Sequence, residues 1–408
     1  MNCRFCKNEL KHVFIDLGEA PPSNSYLTAL QLREPEKFYP LKVFVCSNCF
    51  LVQVDEYKKA SEIFDNEYAY FSSYSTSWLV HAKAYTQEMI NRFGFDKNSL
   101  VIEIASNDGY LLQYFKEKGV PVLGIEPTES TAKVAREKGI ESITEFFGEK
   151  FAKKLVAENR KADLLLGNNV LAHVPDINDF VEGLKIALKD TGVITMEFPH
   201  LVKLIENSQF DTIYHEHFSY LSFTTVKKIF NAHGLELFDV EEIPTHGGSL
   251  RIFAKHKNNT LKQIEKNVEL LLDKEHHLGI DSLTYYSGFE QKATEIKSDF
   301  IDFLNECKKQ GKKVAAYGAA AKGNTLLNYC GIKDNLISFV VDASPYKQGK
   351  YLPGSHIPIV KEDKIKEQKP DFVIIFPWNI EKEITAQLSY INDWGGKFVK
   401  AIPQFQII

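Results

Sequence analysis

Two histidines, a carboxylate and two phenols fall together in Tyr214-His215-Glu216-His217-Phe218-Ser219-Tyr220. Such a cluster is costly to bury without a purpose. The histidines are two positions apart, where a helical zinc site spaces them by four, and no third ligand stands nearby, so the pattern argues against a metal. A solvated polar loop is the bland alternative. Acid/base chemistry fits the residue types better: in an extended chain His215 and His217 would share one face and Glu216 the other, so that one imidazole meets a substrate while the others orient it.

Four of the six cysteines form two pairs, Cys3-x-x-Cys6 and Cys46-x-x-Cys49. Each pair makes a turn whose amides steady both sulfurs, and together they can close a tetrahedral zinc site with no open position, which makes the metal structural. A redox pair or unligated thiols are the alternative. Cys307 and Cys330 lack partners and read as buried structural thiols.

The run Val101-Ile102-Glu103-Ile104-Ala105-Ser106-Asn107-Asp108-Gly109-Tyr110-Leu111 is an apolar strand, a polar turn and a helix start. An adenosine cofactor needs close backbone approach at such a turn and an acid after the next strand for its ribose, which Glu126 supplies in Ile125-Glu126-Pro127. A full G-x-G-x-x-G is missing. That weakens a pyrophosphate-bearing cofactor and leaves S-adenosylmethionine, which carries no phosphate. Glu103, Ser106, Asn107, Gly109, Tyr110, Leu111, Glu126 and Pro127 are the expected cofactor contacts, joined by Asn168 and Asn169 at the carboxyl end of the strand 163–167. A purely structural strand–helix turn is the alternative.

A second turn, Gly318-Ala319-Ala320-Ala321-Lys322-Gly323-Asn324, follows a strand and opens a helix, a geometry that holds a diphosphate on backbone amides. Asn324 stands where a Walker A loop requires lysine, so a nucleotide sugar is expected rather than hydrolysed ATP. Asp342 ends the next strand, placed for a ribose. A Gly/Ala packing turn explains the same residues without a ligand.

The elements that must position these groups divide the chain in three. Residues 1–65 read as a compact zinc-binding module, with the alternation Leu41-Lys42-Val43-Phe44-Val45 leading into the second cysteine pair. Residues 66–255 alternate helices with strands near 100–104, 121–125, 163–167, 192–197 and 249–254, which predicts an α/β fold with a Rossmann-like parallel sheet. Residues 256–408 begin with a helical connector over 258–310, with helix-period sequence from Leu261, and continue as a second Rossmann-like series with strands near 313–318, 336–342, 372–376 and 397–399. A chain of 408 residues with 44% apolar side chains exceeds what one core accommodates. The net charge of −5, without a basic stripe, excludes nucleic acid as an expected partner. No apolar run spans a bilayer, and Cys3 and Cys6 stand where a signal peptide would be apolar, so a cytoplasmic protein is expected. A monomer of three joined parts is the expected state, although the sequence does not read it directly.

These motifs together resemble the sugar C-methyltransferase family, whose members include enzymes that C-3-methylate 3-amino-4-keto deoxysugars carried on dTDP. The resemblance covers the four cysteines, the Ser-Asn-Asp-Gly turn, the Tyr-His-Glu-His signature and the Gly-Ala-x-Ala-Lys-Gly-Asn turn. It implies S-adenosylmethionine and structural zinc, His217 as base, and Tyr214, Glu216, His173 and Tyr68 as further catalytic-site residues. It also places Lys322, Asn324 and Asp342 near the nucleotide; Gly318, from the turn it opens, and His215, from the polar cluster, are further expected substrate contacts. Ala105 departs from the glycine frequent in the family. A base is needed because a C–H beside a ketone must lose its proton before carbon can attack a methyl group; Tyr214 or His173 would then donate to the enolate oxygen. An O- or N-methyltransferase, a non-enzymatic nucleotide-sugar binder and a metal-dependent hydrolase are the competing readings at this point.

Overall fold

The computed structural model describes residues 1–59, 62 and 71–408, organised around three sheets. The first is antiparallel and runs His12–Ala20, Tyr39–Val45, Val52–Val54 and Ser219–Tyr220. Leu41, Val43 and Val45 turn inward as their alternation requires. The last strand belongs to the Tyr-His-Glu-His segment itself: Val52 pairs with Tyr220 and Gln53 with Ser219. The sheet therefore crosses the boundary expected near residue 65, and the cysteine-bearing part is hydrogen-bonded to the strand that follows His217.

The central seven-stranded sheet runs Leu235–Ile243, Ser249–His256, Leu188–Pro199, Ala162–Asn168, Val101–Ile104, Val122–Ile125 and Ser142–Ile143. Five of these strands are parallel, with helices on both faces. The strand Ser249–His256, expected to be parallel, instead runs antiparallel to both neighbours, one of which, Leu235–Ile243, the sequence reading did not anticipate. A tight turn around Thr245–Gly247 joins these two strands, and a parallel arrangement would need a long crossover that the chain does not have there.

The third sheet runs Ile359–Val360, Val340–Val341, Val314–Tyr317, Phe372–Ile375, Lys397–Lys400 and Gln406–Ile407, parallel except at its final pair. Helices Lys266–Leu278, Leu283–Tyr286 and Phe289–Lys309 form the connector. Its first helix begins at Lys266 rather than Leu261, and Leu261 and Ile264 before it stay exposed, with no apolar face buried to hold a helix there. Among the described residues, no helix is long and apolar enough to cross a membrane.

The largest apolar core belongs to no single part. Phe14 and Val54 from the amino-terminal sheet, Phe210, Ile213 and Phe218 around the Tyr-His-Glu-His segment, and Phe300, Leu326 and Ile374 from the carboxyl-terminal part share it. Phe14 stacks on Phe289 with centroids 4.6 Å apart. Arg4, inside the first cysteine turn, adds a polar clamp: its guanidinium donates to the Val54 and Pro175 carbonyls, each at 2.5 Å, and lies over the Phe218 ring. Arg4→Ala would leave both carbonyls without this donor and is expected to lower the unfolding free energy by about 2–3 kcal/mol, measured by urea titration.

Candidate active site

The four cysteine sulfurs converge within 4.8 Å of one another, with Cys3 and Cys49, and Cys6 and Cys46, at 3.5 Å. A tetrahedral zinc with Zn–S bonds of about 2.3 Å places its sulfurs about 3.8 Å apart, so the set fits the metal. The two turns match: Lys7 and Phe50, each just after its pair, adopt positive φ, and their amides donate to the Cys3 and Cys46 carbonyls. The Gln53 amide donates to the Cys3 sulfur at 3.2 Å. Four protein ligands close the site, and none lines the cavity described next.

A cavity of about 500 Å³ opens where the three parts meet. One wall is the turn after Val101–Ile104, where Asn107 donates its amide to Glu126 Oε2 and Thr128 donates to Oε1, both at 2.9 Å. Burial raises the Glu126 carboxyl, and these backbone amides work against that rise. Asn107, Tyr110, Glu126 and Pro127 line the cavity, as do Asn168 and Asn169 across from them. Both polar atoms of the Asn168 side chain are buried without a hydrogen-bond partner, a donor and an acceptor prepared for a ligand. Glu103, Ser106 and Leu111 lie behind this wall, with the Glu103 carboxyl held well above its usual range by burial. Gly109 does not line the cavity either; with φ at +76° and a Cβ that would meet the Ile140 side chain at 2.5 Å, it lets the turn settle against Ala135 and Ile140.

Tyr214–His217 is a tight turn closed by the His217 amide on the Tyr214 carbonyl, so the extended geometry expected for this cluster does not form. The two histidines consequently part. His215 turns away from the cavity to the amino-terminal sheet, against Tyr39 and the Pro40 carbonyl at 3.2 Å. His217, Tyr214, Glu216 and His173 all line the cavity. His217 packs on Tyr214 with centroids 4.0 Å apart and meets His173 edge-on at 4.6 Å. The His217 Nδ1–H donates to the Thr212 carbonyl and the His173 Nδ1–H to the Glu216 carbonyl, both at 2.8 Å. Burial drives His173 down to about 4 and His217 well below its ordinary value, the neighbouring His173 adding to the latter, so both rings are neutral. A neutral ring whose Nδ1 carries the proton presents Nε2 as an acceptor. Burial raises Glu216, whose Oε1 accepts from Asn24 at 3.2 Å. Tyr68 lies outside the described residues.

The carboxyl-terminal wall brings Lys322, Lys347 and Asn379 to the cavity. Lys322 donates to Asn379 at 2.8 Å and sits 4.1 Å over the Trp378 ring; burial lowers it to about 8, partly offset by Asp211. Gly318, Asn324 and Asp342 do not line the cavity. Gly318 packs against Pro377, Asn324 donates to the Ser23 carbonyl at 2.6 Å, and Asp342 accepts from the Ala319 and Ser344 amides, each at 2.8 Å. These three shape the wall from behind.

Three family models match successive stretches: "Putative zinc binding domain" over residues 3–64, "Methyltransferase domain" over 79–240 and "C-methyltransferase C-terminal domain" over 244–403. The C-methyltransferase NovU of Streptomyces niveus is 32% identical over 406 residues, covering 100% of this chain and 96% of the relative. The chain belongs to the sugar C-methyltransferase family. It is an S-adenosylmethionine-dependent C-methyltransferase with a structural zinc. Partial structural overlap extends to magnesium protoporphyrin IX methyltransferase (ChlM) of Synechocystis PCC 6803 with bound SAM, at 15% identity, 43% of this chain, 78% of that one and a TM-score of 0.33. It extends also to the CcbJ methyltransferase of Streptomyces caelestis, at 11%, 43%, 89% and 0.35.

Several cavity residues of this C-methyltransferase escaped sequence reasoning. Phe146 and Phe147 line the cavity, Trp78 stacks on Tyr110, and Asn24 and His246 reach in from loops. Phe146 is 46% exposed, which the sequence does not declare; the Pro21-Pro22 and Gly247-Gly248 flanks of the two loops were weak signals. Ala105 adopts φ of 54° at the cavity edge. Ala105→Gly is expected to relieve that conformation and raise the unfolding free energy by about 0.5–1 kcal/mol, read as a higher Tm with cofactor binding retained.

Proposed function

We propose that the enzyme methylates C-3, beside the ketone, of a nucleotide-linked 4-keto deoxysugar, with a dTDP-type carrier, and that His217 is the base. The observation that carries this reading is the neutral, buried His217, its Nδ1–H spent on Thr212 and its Nε2 left to accept a proton, in the same cavity as Glu126 and Asn168. In this reading residues 1–65 hold the zinc, 66–255 the cofactor and 256–408 the nucleotide. A monomer belongs to this reading, and four thiolates on zinc suit a reducing cytoplasm.

S-Adenosylmethionine, when bound, supplies a methyl carbon made electrophilic by the attached sulfonium. Glu126 would take the ribose hydroxyls, and Asn168 would satisfy its idle amide on the amino-acid end. Phe146 and Phe147 offer apolar faces to the base. Against this wall, His217 Nε2 removes the proton α to the ketone. Tyr214, packed on His217, donates its phenol to the enolate oxygen. His173 is not that donor, because its one proton already rests on the Glu216 carbonyl. Lys322 and Lys347 supply positive charge for a diphosphate.

Incubating the enzyme with labelled methyl donor and dTDP-, GDP- and CDP-linked 4-keto-6-deoxysugars is expected to select the dTDP sugar. The product's carbon–proton correlation spectrum should show a methyl bonded to carbon and loss of the C-3 proton; an O- or N-methyl resonance would refute carbon methylation. His217→Asn is expected to slow solvent exchange of the C-3 proton by ~10²–10⁴-fold, followed by NMR in deuterium oxide, with cofactor binding preserved; undiminished exchange removes the residue from this role. Lys322 titrates near 8, with the ammonium below that pH and the neutral amine above it. The KM for the nucleotide sugar is therefore expected to rise as pH passes upward through about 8, and the rise should vanish in Lys322→Arg.

A further inference from the structure

His246 lies in the turn between the two antiparallel strands of the central sheet and lines the cavity, yet nothing in the proposed chemistry uses it. Its backbone is strained, with φ of 54°, and so is that of Asn169 opposite, with φ of 56°. Non-glycine residues hold this conformation at a cost, which the surrounding structure must sustain. The support is visible. The Gln209 amide donates to the Gly247 carbonyl at 2.9 Å, and a Cβ on Gly247 would meet the Trp378 ring at 2.4 Å. The Asn169 backbone amide donates to the Glu197 carbonyl at 2.8 Å, and the Trp78 ring closes edge-on against His246 with centroids 5.2 Å apart.

Between the two strained residues runs one contact, Asn169 Nδ2 to His246 Nε2 at 2.9 Å. An amide nitrogen can only donate, so Nε2 accepts and the neutral ring carries its proton on Nδ1. The flipped amide would need the ring proton on Nε2, so carboxamide direction and ring tautomer are set together. With the proton on Nδ1 the contact leaves the Asn169 oxygen as the end the cavity can use. Asn168, with both polar atoms of its side chain unpartnered, stands beside it.

We propose that His246 is a positioning residue for the cofactor: by accepting from Asn169 it presents the Asn169 carbonyl as a fixed acceptor for the ammonium of the cofactor's amino-acid end. The inference rests on placing Asn168 and Asn169 at the cofactor, and is independent of the sugar and of His217. Burial holds the imidazole down to about 4, so it remains an acceptor throughout the neutral range. A hydrogen bond to a charged ammonium is the kind whose loss is felt strongly in affinity.

The test compares S-adenosylhomocysteine, which has the amino-acid end, with 5′-methylthioadenosine, which lacks it, by isothermal titration of the zinc-loaded enzyme without sugar. His246→Leu is expected to weaken S-adenosylhomocysteine about tenfold or more and to leave 5′-methylthioadenosine within about twofold. His246→Gln, which restores an acceptor oxygen, should recover most of the difference. Equal loss of both ligands, or loss of neither, overturns the proposal. Wild-type enzyme binding the two ligands equally would instead show that Asn168 and Asn169 are not at the amino-acid end. If His246→Leu does not fold, long-range proton–nitrogen correlation of the wild-type imidazole decides: a ring protonated on Nδ1 is expected, and one protonated on Nε2 overturns the assignment.

Discussion

The Nδ1–H of His217 donates to the Thr212 carbonyl, and that bond fixes the ring's plane, its tautomer and the nitrogen it can offer. The bond holds only because the backbone on either side is immobilised from outside. Asp211 accepts from the Trp378 indole at 2.7 Å, Thr325 donates its hydroxyl to the Ile213 carbonyl at 2.7 Å, and the Val54 amide donates to the Phe218 carbonyl at 3.2 Å. The first two partners belong to the carboxyl-terminal part and the third to the amino-terminal sheet. Desolvation does the rest, since an imidazole sealed between three packed surfaces cannot carry charge cheaply and keeps its lone pair.

The zinc cluster stands apart from the chemistry but not from its mechanics. Gln53 donates to a ligand sulfur and, one bond network further, pairs with Ser219 in the strand that follows His217. Arg4, between two ligand cysteines, reaches the carbonyl of Pro175, close in sequence to His173. Both imidazoles of the site are thus tied through backbone contacts to the metal-bearing turns. A closed four-sulfur site is suited to this task because it exchanges neither ligands nor geometry during turnover.

The features most legible in the sequence were those whose chemistry is local. Paired cysteines, an acid at a strand end and the strand–helix alternation each declare themselves within a few residues, and Cys3, Cys49, Glu126 and Val101–Ile104 stand where their spacing placed them. Long-range contacts were silent. Nothing near Asn24 says that its amide meets Glu216, and nothing in Thr245-His246-Gly247-Gly248 names Asn169 as its partner. The alternation rule failed at His215 because a hydrogen-bonded turn, not a strand, carries the cluster, and turns do not respect a period of two. Gly318, Asn324 and Asp342 were read as ligand contacts from a pattern that serves equally to seat a helix on a sheet, which is the role their hydrogen bonds and packing display.

Glu126 and Asp342 hold their respective turns in the same manner, each carboxylate receiving one amide from the turn before it and one from the residue two places on. The apolar interior, by contrast, runs without interruption from the first sheet to the third. Grafting the carboxyl-terminal part of a relative onto this chain cannot be done at the linker alone. A working chimera would have to carry matched partners for Tyr26, Phe210 and Phe289 along the seam, because that seam is the interior of the molecule.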